Sequence, residues 1–263
     1  AGYTIVRRFP PSGMADVYVA RSPQEERVIL RCMVADFARQ RKWRKVFFES
    51  ARVMGSFDHE NVVRLIEVGT EDEVPYMVLE YVEAETLRTL ISRRDPGLAA
   101  YVIPLLRQMA EALYYVHQQG YLHLDFKPEN LLVDQSGRVV LIDFDLMVPK
   151  RSKPFRLKNL PGTFAYLPRE ALVDHLVEER TDIYAYGVTA YEAVTGHQPY
   201  EGTKIEEVRA AQADPEAEPM PPSRHLTTIP AFLERLILKC LANHPEGRYP
   251  SMSLVLKALA THS

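Results

Sequence analysis

The chain is short of cysteine, of excess basic charge and of long apolar runs, and each shortage removes a class of function. Its two cysteines, Cys32 and Cys240, lie far apart and form no metal-ligand cluster, as expected of reduced thiols in a cytoplasmic protein. A formal net charge of −3 argues against general nucleic-acid binding, which needs a basic face. No apolar stretch approaches the roughly 18–20 residues of a membrane span, and no signal-peptide pattern opens the chain. What is present, 263 residues with 46% hydrophobic and 25% charged side chains, suits a globular protein with a proper core. The chain begins almost on a strand pattern and ends on a helix, which leaves open that it is a domain cut from a longer protein.

The first third reads as strands with one helix. Tyr3–Arg8, Val17–Ala20, Val28–Met33, Val62–Val68 and Tyr76–Tyr81 are short and apolar or β-branched. Between them, about Phe37 to Phe57 carries apolar residues at helical spacing. After Ala84 the pattern turns helical. Leu98–Gln119 has a broad apolar face stopped by Gly120, and further helices are expected at Asp182–Thr195, Lys204–Ala213, Ala231–Ala242 and Ser251–Ala260. Two short strands, Leu131–Val133 and Val139–Ile142, flank a turn at 134–137, and Asp214–Pro222 reads as an ordered surface loop. Helices and strands do not alternate as in a doubly wound sheet, so the class is α+β: a small β-rich lobe, then a larger helical one. Ligand sites favour such lobe boundaries.

The most informative stretch is His123-Leu124-Asp125-Phe126-Lys127-Pro128-Glu129-Asn130, eighteen residues ahead of Asp143-Phe144-Asp145. A carboxylate, a lysine and an asparagine at this spacing, followed by a second Asp after an apolar run, make a phosphoryl-transfer constellation. Asp125 can hold a substrate hydroxyl and accept its proton, Lys127 can offset charge on the moving phosphoryl group, and Asn130 with Asp143 can hold magnesium. Four such groups converging on one place are costly to bury without a ligand.

These residues, with several others, resemble the eukaryotic-like Ser/Thr protein kinases, most closely their bacterial branch, over nearly the whole chain. Gly13-Met14-Ala15-Asp16-Val17 is similar to the exit of the glycine loop, and Tyr76 to Val82 to the hinge, with Leu79 as gatekeeper. Gly162-Thr163 with Glu170 resembles the end of the activation segment, Thr181-Asp182-Ile183-Tyr184 with Gly187 the buried anchoring helix, and Arg248 the partner of the segment-ending Glu170. The resemblance implies a bilobal fold, with residues 1–82 as the N-lobe and hinge and 83–263 as the C-lobe. It also implies ATP and magnesium (or manganese) as cofactors and a protein substrate or regulated protein partner. Nucleotide contacts would fall to Gly13, Val17, Ile29, Arg31, Leu79, Glu80, Val82 and Leu132. Asp182, Glu170 and Arg248 read as scaffold, and His123 and Phe144 as packing.

Other parts depart from that pattern. In the G-x-G-x-x-G frame, Pro10, Ser12 and Ala15 replace the glycines that let amides approach phosphate, and Pro10 has no N–H to offer. Val28-Ile29-Leu30-Arg31 puts Arg where the pattern has Lys, and a planar guanidinium does not reproduce a point-charge ammonium. Ile29 narrows the adenine pocket. At the helix glutamate position, counting back from His59 gives Ser50, with Glu49 one residue earlier, so either the helix shifts or the ion pair is absent. Leu124 replaces the Arg that normally meets an activation-loop phosphate, which makes activation by loop phosphorylation unexpected. Asp145 replaces glycine after Asp143-Phe144, restricting the hinge and adding charge near the metal site. The basic run Lys150, Arg151, Lys153, Arg156, Lys158 reads as a solvated face, with partner binding as the alternative.

Three functions fit: a pseudokinase with a regulatory or scaffolding role and weak Mg-ATP binding, an active but atypical Ser/Thr protein kinase, and a small-molecule phosphotransferase. The Gly162-Thr163 to Glu170 platform and its Arg248 partner argue against the third.

Overall fold

The computed structural model describes residues 2–10, 13–200, 205–214 and 216–261, and the chain divides into two compact units, Ala1–Glu83 and Ala84–Ser263. The first unit is an antiparallel sheet of β1 (Thr4–Arg8), β2 (Ala15–Arg21), β3 (Arg27–Met33), β4 (Leu65–Glu71) and β5 (Val74–Glu80), in the order β1-β2-β3-β5-β4. Its register decides which side chains share a face, because successive strand residues point to opposite sides. Val28 and Leu30 pack with Ala20, Tyr76 and Val78 on one face, whereas Val17, Ile29, Arg31, Met77 and Leu79 alternate to the other. A carboxylate clamps the first of these faces, where Glu67 accepts from Tyr3 at 2.7 Å and Tyr76 at 2.5 Å.

The helix expected from Phe37 to Phe57 is two helices, α1 (Ala35–Ala38) and α2 (Arg41–Met54). Gln40 is extended at φ −99°, ψ 114°, and its side-chain amide donates to Asp36 O at 2.9 Å, which stops α1. Helix α2 is amphipathic and buries Phe47, Ser50, Ala51, Val53 and Met54. The strand expected from Val62 begins at Leu65, after a buried stretch holding Val62 and Val63.

The second unit opens with β6 (Ala84–Thr86), α3 (Leu87–Ser92), α4 (Pro96–Ala100) and α5 (Val102–Gln118). The long helix expected from Leu98 is therefore broken at Tyr101. Pro104 supplies the reason: its ring conflicts with the carbonyl four residues back, so it is tolerated only in the first turn of α5. Thr86 accepts from Thr89 N to cap α3, and Asp95 accepts from Gly97 N to cap α4. Strands β7 (Tyr121–Leu122), β8 (Leu131–Asp134) and β9 (Val139–Leu141) follow; β6, β8 and β9 form one small sheet. The next segment is held by two ladders: β10 (Val148–Pro149) against β7, and β11 (Phe155–Arg156) against β12 (Leu176–Val177), which follows α6 (Arg169–Asp174).

Helix α7 (Glu179–Thr195) is the centre of this unit, buried from Thr181 to Ala193 on every face. It starts three residues before the expected Asp182, where Glu178 and Thr181 exchange capping bonds. Around it lie α5, α8 (Ile205–Ala213), α9 (Ala231–Cys240) and α10 (Met252–Ala260); Lys204, at the expected start of α8, lies outside the described residues. The expected Arg248–Glu170 pair is present, with bonds of 2.6 and 3.1 Å, and Arg248 also donates to the carbonyls of Ala242, Asn243 and Arg180.

A Cβ placed on Gly187 of α7 would meet Cys240 Cβ at 2.7 Å and Leu241 at 3.2 Å, so α7 and α9 approach at backbone distance there. Gly187→Ala therefore overpacks a rigid contact. It is expected to lower stability by about 1–3 kcal/mol in chemical denaturation, with the slope unchanged.

Candidate active site

The catalytic loop of the second unit starts from a strained backbone. Leu124 has φ +64°, a conformation that costs a side-chain-bearing residue about 1–2 kcal/mol. It is held by Asp182, fully buried on α7, whose two carboxylate oxygens accept from His123 N and Leu124 N at 2.8 Å each. Hydrogen bonds to a charged group contribute roughly 1.5–3 kcal/mol apiece, so the pair outweighs the strain. The Nε2 of His117, at the end of α5, meets the same carboxylate at 2.8 Å, and its Nδ1 faces Glu179 at 3.4 Å.

Beyond that turn, three of the predicted site residues, Asp125, Lys127 and Asn130, are bonded together with Thr163. The Oδ2 of Asp125 lies 2.7 Å from Lys127 Nζ and accepts from Asn130 Nδ2 at 3.0 Å; Asn130 also donates to Asp125 O at 2.8 Å. The Oδ1 of Asp125 accepts from the amide and hydroxyl of Thr163 at 3.1 and 2.9 Å, and that hydroxyl in turn accepts from Lys127 Nζ at 2.6 Å. A Cβ on the preceding Gly162, at φ +102°, would stand 2.5 Å from Leu124 O, so only glycine permits this approach. The result is a carboxylate beside a cation and a hydroxyl, positioned as a base or hydroxyl holder. His123 is buried packing, edge-on to Phe144 and Phe126, and burial pushes its pKa down, toward the neutral form.

A hard divalent cation fits the donors present. Both bonds of the Asn130 amide nitrogen go to Asp125, which leaves its oxygen as the atom to offer. Asp143, at φ +66°, accepts from Asp145 N at 3.3 Å through one carboxylate oxygen. Among the described residues no three His, Cys, Asp or Glu side chains are grouped so as to hold a metal ion.

A profile of the protein kinase domain matches residues 12–259. The chain belongs to the protein kinase domain family. It is similar to the serine/threonine-protein kinase PrkC of Bacillus subtilis, 31% identical over 94% of this chain and 38% of that protein. It is likewise similar to the serine/threonine-protein kinase PknB of Mycobacterium leprae, 30% identical over 90% of this chain and 39% of that protein. The chain thus spans about two-fifths of the length of these relatives.

Within the first unit of this kinase domain, Val17, Ile29, Arg31 and Leu79 share one sheet face, Val17 paired with Arg31 and Ile29 with Leu79. Arg31 is buried. Glu80 turns to the other face, its carboxylate accepting from Arg64 N at 3.1 Å, and Val82 is half-buried beyond the strand. Gly13 keeps a positive φ of 63°, Pro10 is described, and Ser12 lies outside the described residues. On α2 the ambiguity between residues 49 and 50 has a definite outcome. Glu49 is exposed and pairs with Arg52 at 2.7 Å, while Ser50 occupies the buried face beside Met54. In the second unit, Leu132 sits mid-strand on β8, opposite Thr86 and Val140.

Sequence reasoning missed His117 and Glu179, and it put Lys150 on a solvated face although its Nζ reaches Glu179 at 3.1 Å, because nothing local marks partners so far apart in the chain. It also missed Arg88, which donates to Glu192, Glu129 and Tyr166 and joins α3, α7, the catalytic loop and the segment near residue 166.

Burial alone would lower the pKa of His117, but Asp182 and Glu179 outweigh it and hold it above 6.5; burial opposes ionisation of Glu179 too, yet His117 and Lys150 bring it down to about 2. His117 therefore contributes stability that is complete below pH 6.5 and fades as pH rises through its higher folded value. Thermal melts of wild type and His117→Asn should differ most below pH 6.5 and converge as pH rises through the higher folded value. A gap independent of pH would show that His117 is neutral.

Proposed function

We propose that this kinase domain acts mainly as a regulatory or scaffolding module, with weak Mg-ATP binding and little phosphoryl transfer. The observation that carries this reading is the orientation of α2: Ser50 occupies the inward position and Glu49 faces solvent beside Arg52. A kinase site needs a lysine held by an inward glutamate. Here Arg31 stands at the lysine's place, and among the described residues Glu49, the glutamate of α2, is exposed and paired with Arg52. Pro10 in the phosphate loop and Asp145 after Phe144 remove further backbone freedom. If two such losses each remove about 2–3 kcal/mol of transition-state stabilisation, the rate falls roughly 10³–10⁴-fold.

In the first unit the proposed nucleotide contacts are Gly13, Val17, Ile29, Arg31, Leu79, Glu80 and Val82; in the second they are Leu132, with Asn130 and Asp143 as proposed metal ligands. Magnesium, when bound, would neutralise phosphate charge. Asp125 would hold an acceptor hydroxyl and take its proton, while Lys127 would steady both Asp125 and the transferred group. A second reading, an active but atypical Ser/Thr kinase, is favoured by the complete bonding of Asp125 to Lys127, Asn130 and Thr163.

Two measurements separate the readings. Calorimetry with ATP and Mg²⁺ or Mn²⁺ should give micromolar or weaker affinity; nanomolar binding would defeat the narrowed-pocket reasoning. Incorporation of ³²P should stay near background. Robust incorporation that disappears in Asp125→Asn and Asp143→Asn would establish the active enzyme.

A further inference from the structure

Between Asp145 and Glu170 the chain carries six basic side chains and no acidic one, in a protein whose net charge is −3, so the rest of the chain sums to −9. The backbone that displays them is fixed. Phe155 and Arg156 pair with Val177 and Leu176, Leu157 N donates to His175 O at 3.0 Å, and Phe155 is buried with Leu124, Leu167 and Leu172, with Leu157 and Leu160 packed against them. Strand alternation then sends Arg156 and Lys158 outward together, opposite Phe155 and Leu157. Arg151 lies flat over the Phe155 ring at 4.2 Å. The acidic groups of the adjoining segment are largely committed: Glu178 pairs with Arg180, and Glu179 with Lys150 and His117, while Asp174 is half-buried. Among the described residues Lys153, Arg156 and Lys158 form no ion pair, and all three are exposed.

A second, independent observation concerns the carboxylates beside the catalytic loop. Glu129, two residues after Lys127, would attract a cationic side chain, but Arg88 already caps it at 2.8 Å. The same guanidinium grips Glu192 at 2.7 and 3.2 Å. The protein thus neutralises in cis the exposed Glu129, which would recruit a basic peptide, and leaves its own basic strip open.

We propose that the strip Arg151, Lys153, Arg156 and Lys158 recognises an acidic, Asp- and Glu-rich protein segment and delivers it toward Asp125. This rests on the protein-binding, kinase-like reading above and names its partner class. Lys158, at the end of the strip, lies only five residues before Thr163, which bonds Asp125, so it is within roughly 18 Å of chain reach of that residue. The net negative charge of the rest of the chain disfavours long polyanions, which favours a short acidic segment over nucleic acid or an anionic membrane.

Fluorescence anisotropy on the whole domain tests this without nucleotide, so failed phosphoryl transfer or ATP binding does not touch the result. A labelled acidic peptide, a basic peptide of equal length, duplex DNA and anionic phosphatidylserine vesicles are the probes. The acidic peptide should bind about tenfold or more tightly than the basic one, and weaken with salt. The Lys153→Glu, Arg156→Glu, Lys158→Glu variant should lose that binding while melting normally. Arg88→Gln, confirmed folded, should gain affinity for the basic peptide. Equal binding of both peptides, indifference to the triple reversal, or equal affinity for DNA or vesicles would overturn the proposal. A folded Arg88→Gln variant with no gain for the basic peptide would overturn its second half.

Discussion

The organisation of the second unit depends on one buried carboxylate. Asp182 sits at zero exposure on the central helix and accepts from two consecutive amides and an imidazole. Its bonds hold Leu124 in a left-handed conformation, and that turn sets the direction in which Asp125 leaves. A buried charge is tolerable only when it is fully bonded, and here the amides and His117 supply the bonding. The helix itself is placed by Gly187 against α9, and Arg248 ties Glu170 to the carbonyls of residues 180, 242 and 243. Catalytic-loop geometry is thus a consequence of core packing, and it persists whether or not chemistry follows.

The segment leading to Thr163 is held by different forces from those its family resemblance suggests. Leu124 stands where an arginine would meet a phosphate, and it is buried with Leu122, Phe155, Leu167 and Val177. Apolar burial contributes roughly 1.5–3 kcal/mol for each such side chain, needs no modification and is insensitive to salt. The two short ladders and the Thr163–Asp125 bonds complete the attachment. The same burial explains why Arg156 and Lys158 face outward in register.

Much of this was legible in the sequence because the informative residues are local. The spacing from Asp125 to Asn130 sets its own geometry within a few residues. The pairing of Arg248 with Glu170 followed from the resemblance. Element boundaries were less legible where one residue overrides periodicity: Gln40 divides the expected helix of the first unit, and Pro104 forces the break at Tyr101. The choice between Glu49 and Ser50 could not be made by counting, since one residue turns a helix by about 100° and only packing decides which side faces in. Asp182 was read as scaffold on the anchoring helix, but its sharing by His117, His123 and Leu124 was invisible for a related reason. It joins positions some sixty residues apart, and no local pattern announces a bond of that range.

On the proposed reading, the residues for phosphoryl transfer are in unequal repair. Asp125, Lys127, Asn130 and Thr163 are bonded together, whereas Arg31, Ser50 and Asp145 stand where the family pattern has lysine, glutamate and glycine. The most direct test is to restore the departures. Arg31→Lys, Ser50→Glu and Asp145→Gly, made together in a protein that melts normally, should raise ³²P transfer to a protein substrate by roughly a hundredfold or more over wild type. A restored protein that stays silent, or a wild type already as fast, would contradict the account.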